Sequence, residues 1–147
     1  MKETQTLMIH ISRSFPATRE ALYKAWTDPD QLKQWWHPLG RRLKDVTNDV
    51  RTGGRVAYHF DDGLEITGEY SEVQDGRHLV YSWNWNLPNE PVDNAQYLLR
   101  VDFREEGGES VLEVRQENFS SQQAIKPHQE GWEHALDRLE DFLEASR

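Results

Sequence analysis

The chain has 147 residues, and 17 Lys and Arg against 26 Asp and Glu give it a formal net charge of −9. This length is typical of one domain with a single hydrophobic core, which we predict to span residues 1–147. The acidic balance argues against a nucleic acid or an anionic membrane surface as the main partner. The sequence has no cysteine, which excludes disulfides, thiolate metal ligands and thiol nucleophiles.

No stretch of the sequence approaches the roughly eighteen apolar residues that a membrane span requires. The N-terminal segment, MKETQTLMIHISRSF, lacks the uninterrupted apolar core of a signal peptide. We therefore expect a soluble, cytoplasmic protein that is a monomer or a homodimer. Six tryptophans in a chain with a mean hydropathy of −0.89 concentrate the apolar surface in a few large side chains. This pattern is typical of a fold that lines a wide interior.

The first part of the chain predicts one strand followed by two short helices. Residues 6–15 alternate between apolar and polar side chains, as a strand with one buried face does. Thr18 is placed to cap the first helix. Asp28 is placed to cap the second helix, and Pro29 suits its first position.

After the helices, the hydrophobic pattern changes to period two, which predicts strands. Turn sequences separate them, among them RTGG at 51–54, DG at 75–76 and GG at 107–108. Strands joined by hairpin turns form an antiparallel sheet. We expect its core-facing side chains to be Val56, Tyr58, Phe60, Leu64, Ile66, Tyr70, Leu79, Tyr81, Trp83, Trp85, Tyr97, Leu99, Val101, Phe103, Leu112, Val114 and Gln116.

The C-terminal segment predicts one long amphipathic helix. Apolar residues recur at helical spacing from Trp132 to Leu143, and acidic residues occupy the opposite side. We expect Pro127 near the start of this helix rather than within it. The element order predicts an α+β fold: a curved antiparallel sheet of six to seven strands gripping the long C-terminal helix, with two short helices after the first strand.

Several motifs occur in an order that resembles a known family. They are ISRSFPATREALYKAWTDPDQLKQWWHPLG, DVRTGGRVAYHFDDG, GEYSEV and GWEHALDRLEDFL. The chain resembles the activator-of-heat-shock-protein-90-ATPase homologue-like family, within the START and Bet v allergen-like helix-grip superfamily. The resemblance runs from about Ile9 to Leu143 and implies a curved sheet around the C-terminal helix. It also implies an interior cavity, which binds apolar small molecules in many superfamily members.

A cavity lined by aromatic rings and a few hydroxyl and amide groups is suited to orienting a small apolar ligand. The candidate ligand-binding residues are Trp36, Pro38, Tyr58, Tyr70, Tyr81, Trp83, Tyr97, Leu99, Gln116, Trp132 and Leu136. The alternative is that the tyrosine hydroxyls only reach the edge of the sheet.

Two adjacent tryptophans stand in the segment QWWHPLG. Neighbouring helical residues lie about 100° apart, so the two rings are predicted to point in different directions. We expect Trp35 in the core, and we expect Trp36 with Pro38 at the mouth of the implied cavity. The alternative is that both rings pack the short helix against the rim of the sheet.

Other chemistry finds little support in the sequence. RTGGR at 51–55 lacks the strand–loop–helix context and the Lys-Ser/Thr pair of a phosphate-binding loop, so we predict a turn. No two of the six histidines have the spacing of a ready metal site, although His59 and His78 are able to converge across strands. No Gly-x-Ser-x-Gly elbow occurs. We predict no metal, no cofactor and no catalytic residue.

Three functions remain open at this point. The first is non-covalent binding of a small apolar or amphipathic molecule between the sheet and the C-terminal helix. The second is an interaction module, a chaperone accessory or stress-response adaptor, which the family resemblance and exposed aromatics near residues 35–38 suggest. The third is an enzyme acting on a ligand in the same cavity, which a buried acid or histidine with a shifted pKa would support.

Overall fold

The computed structural model describes residues 8–37, 42–86, 96–118 and 122–145. Within these ranges the chain forms seven strands and three helices. Their bounds are β1 Ile9–Phe15, α1 Arg19–Thr27, α2 Pro29–Trp35, β2 Leu43–Asn48, β3 Arg55–Phe60, β4 Glu65–Gln74, β5 His78–Asn86, β6 Gln96–Glu106, β7 Glu109–Glu117 and α3 Gln122–Ala145. The predicted α+β order is confirmed.

The seven strands form one antiparallel sheet in the order β1-β7-β6-β5-β4-β3-β2. The strands from β2 to β7 are neighbours in sequence order, and β1 pairs with β7 at the opposite edge from β2. The sheet is curved, and β4 contributes to this through a register shift between Tyr70 and Glu72. Strands β4 and β5 approach each other closely at Gly68, where a Cβ atom would overlap with the carbonyl oxygen of Ser82. Glycine, which has no Cβ, permits this approach.

The caps of the two short helices are confirmed. Thr18 Oγ1 accepts a hydrogen bond from the backbone N–H of Ala21, which lies three residues further along the chain. Asp28 Oδ1 accepts from the backbone N–H of Asp30, and Pro29 occupies the first turn of α2. The two helices therefore follow each other with a single residue between them.

The long helix α3 carries the predicted buried stripe. Its buried residues include Trp132, Ala135, Leu136, Leu139 and Leu143. Arg13 on β1 holds the helix from the sheet side, since its Nη2 lies 2.6 Å from Asp137 Oδ1 and 3.1 Å from Glu140 Oε1. None of the helices in the described part of the chain is long and apolar enough to cross a membrane.

The prediction that Pro127 lies outside the body of α3 is wrong. The helix begins at Gln122, so Pro127 is its sixth residue. A proline at that position removes one backbone hydrogen bond, to the carbonyl four residues earlier. Burial of the apolar stripe that follows, which begins at Trp132, offsets this loss.

The predicted inner face of the sheet is confirmed for the side chains that the structure describes. Each is less than 10% exposed: Val56, Tyr58, Phe60, Leu64, Ile66, Tyr70, Leu79, Tyr81, Trp83, Tyr97, Leu99, Val101, Phe103, Leu112, Val114 and Gln116. The side chain of Trp85 lies outside the described residues. These side chains form one hydrophobic core cluster with residues of the three helices.

Candidate ligand site between the sheet and the C-terminal helix

The two adjacent tryptophans both point into the interior. Helix α2 ends at Trp35, and Trp36 leaves the helical conformation with φ −79° and ψ 82°. The offset of about 100° between helical neighbours therefore does not apply to this pair, because it holds only while both residues are helical. The ring centroids lie 5.5 Å apart at 73°, and Trp35 is in the core as expected. Trp36 is only 4% exposed, whereas Pro38 lies outside the described residues.

Four tryptophan rings meet between the sheet and the helices, and we call them the tryptophan cluster: Trp26, Trp36, Trp83 and Trp132. Trp132 of α3 is the hub. It is parallel to Trp26 within 5° at a centroid distance of 5.9 Å, and it lies within 25° of Trp83 at 6.0 Å. Its centroid is 5.0 Å from that of Trp36. Contacts of this kind contribute about 0.5–1.5 kcal/mol per pair beyond burial.

A row of tyrosines extends the tryptophan cluster along the sheet. Tyr58 contacts Trp83 at a centroid distance of 5.2 Å, and Tyr81 contacts it at 5.8 Å. Tyr70 lies 4.7 Å from Tyr81. Burial raises the pKa of all three tyrosine hydroxyls well above the ordinary value, so each remains a neutral hydrogen-bonding group.

Two of these hydroxyls are bonded within the protein. Tyr70 donates to Asn48 Oδ1 across 2.6 Å, and Asn48 Nδ2 in turn donates to the carbonyl of Thr27 at the end of α1. Tyr81 accepts from the indole N–H of Trp26 across 3.1 Å. For Tyr70 and Tyr81 the hydroxyl therefore joins helix α1 to the sheet, which is a structural role.

One indole N–H in the interior has no acceptor among the described residues. Trp35 donates to the carbonyl of Ala25 across 2.8 Å, and Trp132 donates to Gln116 across 2.7 Å. Nε1 of Trp36 is as buried as these donors and has no hydrogen-bond partner. A buried polar group left unpaired costs about 1–3 kcal/mol, so this position in the tryptophan cluster is suited to an external acceptor.

A chain of polar side chains connects β6 and β7 to α3. Trp132 Nε1 lies 2.7 Å from Gln116 Oε1, and Gln116 Nε2 lies 3.4 Å from His128 Nδ1. His128 Nε2 lies 3.3 Å from the hydroxyl of Tyr97, and the two rings are in edge contact at 4.9 Å. Burial lowers the pKa of His128 to about 4, so the imidazole is neutral at pH 7.

The structure brings the predicted site residues into two groups. Trp36, Tyr58, Trp83 and Trp132 belong to the aromatic contacts, and Tyr97 and Gln116 belong to the polar chain. Leu99 and Leu136 are completely buried in the core. Trp26 and His128 were missed as site residues. The spacing from His128 to Trp132, four residues on a helix, places both on one face and is the signal that identifies His128.

The pair of His59 and His78 does not converge. Strand β4 separates β3, which carries His59, from β5, which carries His78. His59 instead pairs with Glu65 on β4, and His78 lies between Asp102 and Glu72. In the described ranges no three potential ligands come close enough to hold a metal ion. The RTGG segment forms a turn, with Gly53 at a φ of +85°.

A curved antiparallel sheet around a long C-terminal helix, with two short helices after the first strand, defines a helix-grip domain. The family model described as activator of Hsp90 ATPase homolog 1-like protein matches residues 16–144. The chain belongs to this family.

Several solved structures share this fold. The protein MLL2253 from Mesorhizobium loti is 20% identical, with a TM-score of 0.82 over 96% of this chain and 99% of that chain. The AHSA1 protein from Silicibacter pomeroyi is 21% identical, with a TM-score of 0.80 over 96% and 100% of the two chains. CalU16 from Micromonospora echinospora is 24% identical, with a TM-score of 0.71 over 94% and 76%. A comparison with curated proteins finds no match.

Proposed function

We propose that this protein binds a small amphipathic ligand between the sheet and α3, without covalent chemistry. The observation that carries the proposal is the buried, unpaired indole N–H of Trp36 within the tryptophan cluster. A ligand oxygen that accepts from this N–H removes the cost of an unpaired donor. Family membership supports the same reading, since the helix-grip fold is consistent with ligand binding.

The aromatic surroundings of Trp36 define the other half of the ligand. Its ring contacts Tyr58 at 6.1 Å, Trp83 at 6.0 Å and Trp132 at 5.0 Å between centroids. Flat aromatic surfaces of this kind favour a flat, largely apolar partner, and a single polar group fixes its orientation. We therefore expect a planar ligand with an oxygen that accepts a hydrogen bond.

The enzyme alternative rests on His128, whose lowered pKa is the signature that favours such a role. The hydrogen bonds of its ring argue for binding instead. Gln116 occupies one ring nitrogen and Tyr97 the other, so neither nitrogen presents a free lone pair to a substrate.

The chaperone-accessory alternative rests on family membership alone. The aromatics near residues 35–38 that suggested it include Trp35 and Trp36, and both are buried. A docking surface for another protein needs exposed anchor side chains. The residues that the structure describes in this segment therefore favour the ligand-binding function over the chaperone-accessory function.

Isothermal titration calorimetry with two ligands of similar size tests the proposal. 2-Acetylnaphthalene carries an acceptor oxygen, and 2-isopropylnaphthalene carries a methyl group in its place. We expect the acetyl ligand to bind about three- to tenfold more tightly, the worth of one net hydrogen bond. The preference should disappear in Trp36→Phe, whereas Trp35→Phe, whose indole N–H is already bonded, should retain it. Absence of saturable binding by either ligand would overturn the proposal.

A further inference from the structure

The hydroxyl of Tyr58 differs from those of the other two tyrosines in the row beside the tryptophan cluster. Tyr70 donates to Asn48, and Tyr81 accepts from Trp26. The Tyr58 hydroxyl forms no hydrogen bond with any residue that the structure describes. Tyr58 is only 2% exposed, and burial, followed by the nearby Tyr70, raises the pKa of its hydroxyl. It is therefore a buried, neutral group that keeps its hydrogen.

The register of the sheet explains why Tyr58 has no partner on the neighbouring strands. Its cross-strand neighbours are Val46 on β2 and Ile66 on β4. Residues paired in this way share one face of the sheet, and both of these side chains are apolar. A phenylalanine at this position would make the same ring contacts without the cost of an unpaired polar group. The hydroxyl is therefore best explained by a partner from outside the chain.

Tyr58 lies next to Trp36, which carries the unpaired indole N–H. The two ring centroids are 6.1 Å apart at an angle of 59°. Both rings also contact Trp83, Tyr58 at 5.2 Å and Trp36 at 6.0 Å. Two buried polar groups without a partner therefore belong to adjacent rings, and one small ligand that lies against these rings is able to bond to both.

We infer that Tyr58 is a specificity-determining residue, whose hydroxyl binds a second oxygen of the ligand that accepts from Trp36. The inference rests on the proposed function for the existence of the ligand and deepens it by naming the ligand class. An indole nitrogen only donates hydrogen bonds, whereas a tyrosine hydroxyl both donates and accepts. A carbonyl oxygen suits Trp36, and a hydroxyl group suits Tyr58. The ligand class is therefore planar hydroxyaryl ketones.

The first test does not need a ligand, because it measures whether the Tyr58 hydroxyl is bonded within the protein. Tyr58→Phe should leave the midpoint of urea unfolding unchanged or raise it, since no hydrogen bond is lost. Tyr70→Phe is the matched control and should lower the midpoint, since Asn48 loses its donor. A midpoint for Tyr58→Phe as low as that of Tyr70→Phe would overturn the inference.

The second test measures the selection itself. The ligands are 2-acetylnaphthalenes with either a hydroxyl or a methyl group at each position of the ring that does not bear the acetyl group. These two groups are similar in size, so the ratio of their affinities reports the polar contact. At one position or more, we expect Tyr58→Phe to lower the hydroxyl-to-methyl affinity ratio by about three- to tenfold.

Tyr23→Phe is the control for binding. It also removes a tyrosine hydroxyl, but from a ring on α1 that contacts Phe103, so the affinity ratio should persist. Circular dichroism checks that both variants fold.

The two proposals fail in different ways. If none of these ligands binds the unmodified protein, the proposed function and the role of Tyr58 are both wrong. If they bind and Tyr58→Phe leaves the ratio unchanged at every position, binding stands and the role of Tyr58 is wrong. The same conclusion follows if Tyr23→Phe lowers the ratio as much as Tyr58→Phe does.

Discussion

Trp132 on α3 donates its indole hydrogen to Gln116 on β7 across 2.7 Å, and both side chains are buried. This bond joins the long helix to the inner face of the sheet. It also satisfies a donor and an acceptor that have no access to water. Trp132 is at the same time the hub of the tryptophan cluster, so one side chain couples the packing of the core to the polar chain.

Gln116→Leu should lower the free energy of unfolding by about 1–3 kcal/mol, because it leaves the indole N–H of Trp132 buried and unpaired. Urea unfolding followed by circular dichroism measures the loss. The same substitution in a Trp132→Phe background should cost clearly less, since the donor is then absent. Equal costs in the two backgrounds would show that the hydrogen bond does not contribute.

Acid should destabilise the protein through His128. Burial holds its pKa at about 4 in the folded chain, against about 6.5 when unfolded. As the pH falls from 6.5 toward 4, the unfolded chain therefore binds a proton that the folded chain does not, and stability falls by an amount of order 3 kcal/mol. Above pH 6.5 this contribution to the pH dependence is absent.

Urea unfolding at pH 7 and at pH 4.5 measures this effect. His128→Gln should reduce the loss of stability between the two pH values by about 2 kcal/mol. The matched control is His10→Gln at an exposed position on β1. A loss in His128→Gln as large as that of the unmodified protein would assign the acid sensitivity to other groups.

Gly68→Ala should destabilise the sheet by about 3 kcal/mol or more, because the added Cβ overlaps the carbonyl oxygen of Ser82 on the neighbouring strand. Gly107→Ala is the matched control. Gly107 has a φ of +58° with open space around the missing Cβ, so only backbone strain of about 1 kcal/mol applies. The midpoints of urea unfolding report both values, and similar losses would contradict the close approach of β4 and β5.

Arg13→Met should cost about 1 kcal/mol or less, because the ion pairs with Asp137 and Glu140 are partly exposed. The methionine retains most of the apolar stem, so the charge is what the substitution removes. The difference from the unmodified protein should shrink in 1 M salt, which screens such pairs. Arg55→Met at an exposed position on β3 is the control, and a salt-independent loss in Arg13→Met would point to packing instead.

Periodicity was sufficient to predict most of the fold from the sequence. Alternation identified the inner face of the strands, and Thr18, Asp28 and Pro29 identified the starts of the short helices. These features depend on neighbours in the chain, which a sequence displays directly. Pro127 was misplaced because tertiary burial of α3 outweighs the local preference of proline.

The candidate site was harder to predict, because it depends on contacts between distant elements. Because Trp36 leaves the helix, the helical offset did not predict that its ring is buried beside that of Trp35. The role of His128 depends on Gln116 and Tyr97, which lie 12 and 31 residues away. Sequence alone does not specify which inward hydroxyls are already bonded, as that of Tyr70 is to Asn48.

The NMR signal of the Trp36 indole N–H tests the proposed ligand site most directly. ¹⁵N–¹H correlation spectra resolve the tryptophan indoles, and the signal missing from Trp36→Phe identifies this one. We predict that 2-acetylnaphthalene moves the Trp36 signal to lower field, as a newly formed hydrogen bond does, and that 2-isopropylnaphthalene does not produce this shift. Binding of the acetyl ligand with an unchanged Trp36 signal would contradict the proposed site.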